Sequence, residues 1–408
     1  MLGGEKVENS ELFEQLTDAG FTPYGEINDL TADTILKEDI FEHLFSIDNP
    51  IKREQQLAKL EQKAKELNVR NNFKRIYKHY QELNSQNKQL KTHNEIAQEL
   101  LKINHIVVYE NSLYIYKDGV YIDDENYIYT KIIDICKEAN TSLRKEVYNY
   151  LLLIAPKVEI NNTNIINFKN ALFNLDTRQI LPHTPDFFSI NQINVNIKKV
   201  VSSNIAIDNF LNTITCYNSE RKKAILEIIG YAMTTSIKMQ RAFVLYGKTA
   251  GNGKSTLLQL IESVIGKNNI SHVTMHDLSN NKFSIAEIRG KLVNISSEMT
   301  KEFLKDISIF KELVTGDMTA VEEKFKSIQN IKPYAKLIFT ANELPKVSDT
   351  TNGYYRRLFI IPFEAEFTEK EKANFNFNEL LTNEALEYLA YISINSYCNI
   401  FAKNSING

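Results

Sequence analysis

One segment near the middle of the chain constrains the fold more than any other. Residues 243–246 form a short apolar, β-prone run, residues 247–253 contain three glycines, and residues 255–265 repeat apolar side chains at helical spacing. The order is therefore strand, glycine-rich loop, helix. This order brings backbone N–H groups and the N-terminus of a helix to one point, which is an arrangement that binds phosphate. We predict a nucleotide-binding α/β domain here.

The loop residues fit the requirements of a bound triphosphate. We expect Lys254 to reach the β- and γ-phosphates and Ser255 to ligate Mg²⁺, so ATP and Mg²⁺ are the predicted cofactors. Gly247 and Gly253 are six residues apart, one more than in the G-x-x-x-x-G-K-[ST] spacing, so the loop is one residue longer if Gly247 is its first glycine. The alternative is a glycine-rich turn that happens to contain a lysine. The predicted nucleotide contacts are Gly247, Gly251, Asn252, Gly253, Lys254, Ser255 and Thr256.

Hydrolysis of a bound triphosphate needs further groups downstream of the loop. These are a carboxylate that orients water, a polar group that senses the γ-phosphate, and an arginine for the transition-state charge. One predicted strand ends at Glu298, the candidate base, and the strand KLIFTA is followed by Asn342, the candidate sensor. The alternatives are a strand-end glutamate without a role and an asparagine placed for turn reasons. Arg356 and Arg357 precede a further strand, where they either donate structural salt bridges or reach a neighbouring subunit's nucleotide.

Five segments, taken in order, carry a family resemblance. They are GNGKST, NISSE, LVTGDMTAVEEKFK, LIFTANELP and NGYYRRLFIIPF, and together they resemble the superfamily 3 helicases of phage, plasmid and poxvirus-type primase-helicases. The upstream segment FKNALFNLDTRQILPHTPDFFS resembles the domain that precedes the motor in that family, so the match covers roughly residues 95–375. The resemblance implies an AAA+ P-loop ATPase domain with a parallel sheet. It also implies a homo-hexameric ring that moves 3′ to 5′ on single-stranded or forked DNA during replication of a phage, plasmid or mobile genetic element.

The resemblance also implies how the downstream residues act. It agrees with Glu298 as the group that activates water and with Asn342 as the sensor. It adds that Arg356 or Arg357 acts on the nucleotide of the neighbouring subunit, and we favour Arg357 because it is nearer to the strand.

The interval between Glu298 and Asn342 holds the predicted DNA contacts. In superfamily 3 this interval carries a hairpin that points into the ring channel, with a lysine that holds the DNA backbone. Lys324, Phe325 and Lys326 fit this role, because two ammonium groups can contact phosphates and an aromatic ring between them can stack on a base. A plain surface hairpin with alternating charges is the alternative.

The chain before the motor divides by composition. Residues 1–50 contain 12 acidic and 2 basic residues, whereas residues 51–92 contain 11 basic and 4 acidic residues. Apolar spacing in the second stretch predicts amphipathic helices, which present either a solvated face or a basic surface for nucleic acid or for the acidic arm. Alternation of aromatic and β-branched residues predicts strands over residues 105–129, with Asp118-Gly119 at a hairpin turn.

This organisation predicts six regions. They are an acidic arm at 1–50, a basic helical region at 51–93, an α+β domain at 94–205, a helical connector at 206–238, the motor at 239–375 and C-terminal helices at 376–408. We expect residues 1–92 to serve a replication or loading partner. These first residues lack the paired acids and histidine of a primase, so no primer synthesis is predicted.

Composition excludes several other classes of protein. The net charge of −3 provides no overall positive field for nucleic acid, so DNA binding has to be local, as in a ring lumen to which six copies contribute. No apolar stretch approaches a membrane span and three scattered cysteines form no disulfide framework, so we expect a protein of the bacterial host cytoplasm without membrane partners. Two alternatives remain open: a non-motor DNA-binding or regulatory protein that binds nucleotide, and a small-molecule P-loop kinase.

Overall fold

The chain folds into two compact units, Met1–Thr92 and His93–Gly408. The computed structural model describes residues 21–47, 49–87, 91–160, 162–249, 251–280, 283–296, 299, 307–322, 329–344, 353–367 and 376–406.

The first unit is a small helical unit with one short hairpin. The rings of Phe41 and Phe73 lie 5.1 Å apart in its core, and Tyr80 stacks on Phe41. The second helix begins where the Asn49 side chain accepts two backbone N–H groups, with Pro50 at the first helical position. The predicted amphipathic helices are confirmed. The elements are β1 (Phe21–Thr22), β2 (Gly25–Glu26), α1 (Glu38–Ser46), α2 (Pro50–Glu66) and α3 (Arg70–Asn87).

The second unit begins with helices packed on an antiparallel sheet. Asp118 and Gly119 form the predicted two-residue turn, because Lys117 pairs with Val120 across it. The predicted strands end earlier than residue 129. Asp124 accepts a hydrogen bond from the Tyr127 amide and so starts a helix at residue 125, which overrides the β-propensity of the tyrosines. The elements are α4 (His93–Ile103), β3 (Ile106–Tyr109), β4 (Ser112–Lys117), β5 (Val120–Ile122), α5 (Glu125–Ile135) and α6 (Thr141–Ile154).

A second antiparallel sheet and two helices connect this part to the parallel sheet. They are β6 (Ile165–Asn167), β7 (Leu172–Asn174), β8 (Ile180–Leu181), α7 (Ile205–Ile214) and α8 (Ser219–Ala232).

Five parallel strands form the central sheet of the second unit. They are β9 (Ala242–Tyr246), β10 (Ile270–Ser271), β11 (Val293–Ser296), β14 (Lys336–Ala341) and β15 (Leu358–Pro362). Their spatial order is β10-β11-β14-β9-β15, so the strand before the glycine-rich loop lies between two strands that come later in the chain. A separate antiparallel ribbon consists of β12 (Thr319–Val321) and β13 (Gln329–Ile331).

Helices cover both faces of this sheet, so successive side chains of β9 enter two different cores. Besides α8, the helices are α9 (Lys254–Ile265), α10 (Met275–Asn280), α11 (Ser308–Thr315), α12 (Phe377–Leu380) and α13 (Asn383–Ile406). Phe243 and Leu245 pack with α8, α9 and α13, whereas Ala242 and Val244 pack with α10 and α11. Among the residues described, no helix combines the length and apolar character needed to cross a membrane.

Candidate functional site

The glycine-rich loop lies at the carboxyl edge of the parallel sheet, where three adjacent strands end. The Gly247 amide donates to the Ala341 carbonyl at the end of β14, at 3.0 Å, and the Phe363 amide donates to the Tyr246 carbonyl, at 2.6 Å. The chain segments that follow β9, β14 and β15 therefore converge here. Ligands of open α/β sheets bind at this edge.

Two glycines give the loop a backbone conformation that side chains rarely adopt. Gly251 and Gly253 have φ values of 74° and 86°, in the left-handed region. A Cβ atom on Gly253 would also lie 2.5 Å from Cγ2 of Ile214. Gly253 is the N-cap residue of α9 and no side chain caps that terminus, so the first N–H groups of a 12-residue helix face the loop. This is the arrangement of an anion-binding helix N-terminus.

Lys254 and Asn252 point into the loop. The Lys254 side chain is almost buried, and its Nζ donates to the carbonyl oxygen of Gly247 at 3.1 Å. The buried amide of Asn252 donates to the carbonyls of Thr249 and Phe363, at 2.9 and 3.3 Å. The loop thus holds the Lys254 ammonium group beside the helix N-terminus and is tied by Asn252 to the segment that follows β15.

The loop residues fit a magnesium triphosphate. A Cβ atom on Gly247 would lie 2.3 Å from the Asn252 amide nitrogen and 3.0 Å from Nζ of Lys254, so only glycine leaves room for these two groups. Ser255 is exposed in the first turn of α9, and its hydroxyl oxygen is a suitable ligand for Mg²⁺. Thr256, the next residue, is half-buried. Among the described residues, no group of three or more histidines, cysteines and acids could hold a metal ion, so Mg²⁺ would depend on Ser255, phosphate oxygens and water.

Asn342 lies beside this loop. It is exposed and is the first residue after β14. Ala341, the last residue of β14, pairs with Tyr246, the last residue of β9. Asn342 and Gly247 are therefore the first residues beyond two neighbouring strands that end side by side. Glu298 lies outside the described residues. On one side of it Ser296 ends β11, and on the other the Met299 amide donates to the Thr340 carbonyl at 2.8 Å. Both of these flanking residues lie at the carboxyl edge.

Arg356 and Arg357 lie at the amino ends of the strands, opposite to the carboxyl edge that carries the loop. They belong to a 3-10 helix that leads directly into β15, and Leu358 pairs with Ala242, the first residue of β9. The loop follows the last residue of β9, about 13 Å further along the strand. Arg356 is exposed, and Nη1 of the half-buried Arg357 donates to the Gly353 carbonyl at 2.7 Å. The structure does not bring either arginine to the loop of its own chain.

The predicted DNA contacts fall between the two strands of the β12–β13 ribbon. Lys324, Phe325 and Lys326 lie outside the described residues. Thr319 pairs with Ile331 and Val321 with Gln329, so the segment that carries the three residues joins two antiparallel strands. The sequence prediction of a hairpin here agrees with this pairing.

Some groups of the site could not be found from motifs. The carbonyl oxygens of Thr249 and Phe363 hold Asn252, and carbonyl groups leave no signal in a sequence pattern. Ile214 closes the space at Gly253 from α7, a helix that precedes the central sheet in the chain.

Comparisons with known proteins cover parts of the chain. Residues 245–357 match a family described as "Family of unknown function (DUF5906)". The chain is 25% identical over 221 residues to "Putative helicase L207/L206" of Acanthamoeba polyphaga mimivirus, which covers 52% of this chain and 23% of that protein. It is 26% identical over 129 residues to "Putative helicase 184R" of Invertebrate iridescent virus 6, which covers 29% of this chain and 13% of that protein. The chain therefore spans less than a quarter of the length of these curated relatives.

Solved structures support the fold. Two structures of the NrS-1 C-terminal region superpose with TM-scores of 0.51 and 0.50 at 15% identity. The first match covers 76% of this chain and 72% of that chain, and the second covers 74% and 71%. This likeness shows a shared mixed α/β fold. The chain is thus similar in sequence to viral proteins named as helicases and similar in fold to the NrS-1 C-terminal region.

Proposed function

We propose that this chain contains the motor of an ATP-dependent DNA helicase of superfamily 3, built on an AAA+ domain. One observation carries the proposal. The strand–loop–helix unit places the Lys254 ammonium and the uncapped N-terminus of α9 together at the carboxyl edge of a parallel sheet, with Asn342 on the adjacent strand end. The sequence similarity to viral proteins named as helicases favours a motor over other nucleotide-binding proteins.

The loop residues would bind ATP and Mg²⁺ in defined ways. Backbone N–H groups at Gly251–Gly253 and at the start of α9 face the phosphates, and Lys254 offsets their charge. Ser255 would hold Mg²⁺, which would supply charge for phosphoryl transfer. Asn342 would donate its amide N–H to the γ-phosphate, and Glu298 would orient water.

The arginine pair supports an assembly of several copies. Since β15 starts at the ends of the strands opposite to the loop, Arg357 lies far from the loop of its own chain, which supports a role on the nucleotide of a neighbouring copy. β15 is also the outermost strand on one side of the sheet, with only β9 beside it. Its side chains Phe359 and Ile360 are 41% and 43% exposed. An edge strand with exposed apolar side chains is suited to contact another copy. We therefore propose a hexameric ring in which Arg357 acts on the adjacent subunit's ATP.

The β12–β13 ribbon provides a route from ATP hydrolysis to DNA. It follows α11, one of the helices packed on the sheet, in the part of the chain between the proposed base and the proposed sensor. Lys324 and Lys326 would contact phosphates of single-stranded or forked DNA, and Phe325 would stack on a base. Six copies in a ring would concentrate these cations although the chain as a whole has a net charge of −3.

Residues 1–92 form a separate compact unit, which we propose to bind a replication or loading partner. The complete assembly would act in replication of a virus, phage, plasmid or other mobile element within the host cytoplasm.

The test is ATP hydrolysis with and without single-stranded DNA. Wild-type protein should turn over ATP, and DNA should increase the rate. Lys254→Ala should lower the rate by roughly 10²-fold or more, because it removes a charge aimed at the phosphates. Lys267→Ala is the matched control, since Lys267 is an exposed lysine just beyond the other end of the same helix. Undiminished hydrolysis in Lys254→Ala would refute the assignment of the loop.

The same assay separates the two alternatives. A small-molecule kinase would consume ATP with a metabolite and would ignore DNA, and a non-motor regulatory protein would bind nucleotide without turnover. Either result would replace the helicase proposal.

A further inference from the structure

A polar cleft of about 450 Å³ lies away from the glycine-rich loop, at the junction of the β7–β8 hairpin, the segment near Lys198 and helix α13. Its lining combines basic, aromatic and amide side chains with apolar ones. The residues used below are Arg178, Lys198, Lys199, Tyr391, Ile394 and Asn395. A cleft of this volume accepts a ligand about the size of one nucleotide.

Arg178 is fixed in an uncommon conformation at the rim of the cleft. Its φ of 57° lies in the left-handed region, which is rare for a residue other than glycine. The preceding turn is held by the Asn174 side chain, which accepts the amides of Asp176 and Thr177 at 2.9 and 3.0 Å. Nη2 of Arg178 donates to Oδ1 of Asn399 on α13, at 3.0 Å. The guanidinium is therefore held against α13 through one of its N–H groups.

The lining of the cleft, among the described residues, contains three basic side chains and no acidic one. Nζ of Lys198 lies 2.5 Å from Oε2 of Glu387, and the other carboxylate oxygen of this buried residue accepts from Asn196 at 2.9 Å. That pair is neutral. Within the described part of the chain, Arg178 and Lys199 form no salt bridge, and the nearby Asp176 does not line the cleft, so these two cations are the ones that can contact a phosphate there.

The interior of the cleft suits a flat aromatic group. Tyr391 is half-buried in the wall, the buried Ile394 lies one helical turn away, and Asn395 offers an amide that can donate and accept. Aromatic side chains beside cations are the usual means of binding unpaired bases and their phosphates. A base inside a duplex could not enter a cleft of this size.

We infer that this cleft binds single-stranded nucleic acid, with the phosphates at Arg178 and Lys199 and one base stacked on Tyr391. No residue of the β12–β13 ribbon lines the cleft, so the inference adds a second nucleic-acid contact to the proposed function, on which it rests.

The test measures how salt changes the affinity for a fluorescent oligothymidylate of about 15 nucleotides. For single strands, each phosphate contact contributes roughly 0.7 to the slope of log K against log salt. Arg178→Gln with Lys199→Gln should therefore reduce the slope by about 1.4. The control is Lys137→Gln with Lys145→Gln, which removes the same charge from two exposed positions elsewhere and should leave the slope unchanged. A slope equal to wild type in the cleft variant would overturn the proposal.

Tyr391 provides a second, charge-neutral test. Tyr391→Ala should weaken binding of the oligonucleotide at least fivefold, whereas Tyr391→Phe keeps the ring and should bind like wild type. If thymidine monophosphate bound with the same dependence on Tyr391 while the oligonucleotide did not bind, the cleft would be a mononucleotide site and the proposal would be wrong. Since no ATP is present, these results do not depend on whether the chain hydrolyses ATP.

Discussion

Substitution of Gly247 by alanine tests the geometry of the loop more directly than removal of any charged group. Gly247 does not have a positive φ, so the substitution introduces no backbone strain. The cost is steric. The new Cβ would lie 2.3 Å from Nδ2 of Asn252 and 2.7 Å from the Phe363 carbonyl oxygen, and neither group can stay where it is.

The magnitude follows from the contacts that Asn252 would lose. Its amide donates two hydrogen bonds, to Thr249 and to Phe363. A typical bond contributes about 0.5–1.5 kcal/mol, so the displaced amide should cost roughly 1–3 kcal/mol of unfolding free energy. A distorted loop that binds ATP more weakly by the same free energy would lose roughly 5- to 150-fold in affinity.

Urea unfolding and isothermal titration with a non-hydrolysable ATP analogue would measure both effects. The Asn252→Ala variant supplies the control, since it removes the side chain that the new methyl group meets. In that background, Gly247→Ala should cost less than in the wild type, so the two substitutions should be non-additive. A Gly247→Ala protein with wild-type stability and wild-type affinity would refute the loop geometry.

Three other predictions concern residues outside the loop. Glu298→Gln should bind ATP but hydrolyse it slowly, which filter binding and single-turnover kinetics would show; normal turnover would place the base elsewhere. Arg357→Ala subunits mixed with wild type should lower the rate by more than simple dilution, because each variant subunit also disables its neighbour, with an arginine effect of about 10³–10⁵-fold in the fully substituted protein. Burial lowers the pKa of Lys336 well below its ordinary value, and its ammonium donates to the Thr234 carbonyl and lies over the Tyr231 ring. The unfolded chain therefore binds more protons than the folded chain between the lowered pKa and about 10.4, so stability rises with pH in that window. In urea unfolding at several pH values, Lys336→Met should remove this rise of the unfolding free energy with pH. A variant with the same pH dependence as wild type would contradict the assignment to Lys336.

The sequence predicted local structure best where one signal dominated. The run from Lys336 to Ala341 is a strand over its whole predicted length, because its middle is apolar and the Asn that follows favours a turn. The unit of strand, loop and helix around Gly253 was equally clear, since phosphate loops need glycine at fixed positions. At residues 125–129 two signals competed, and the Asp124 cap defeated the β-propensity of the tyrosines.

The relations between distant segments could not be read from the sequence. Nothing local indicates that β14 lies between β9 and β11, or that the arginine pair starts at the edge of the sheet opposite to the loop. The burial of Lys336 also depends on tertiary contacts, namely on α8 and the turn that follows it. The cleft at Arg178 joins residues more than two hundred positions apart, so no motif could have revealed it.

The most direct test of the account is strand separation. A forked DNA substrate with a labelled strand would be incubated with the protein and ATP, and release of that strand would be followed over time. We predict ATP-dependent unwinding that requires a 3′ single-stranded tail and is lost in Lys254→Ala. Hydrolysis of ATP without any strand release, on forks with either tail, would contradict the claim that this loop powers a DNA helicase.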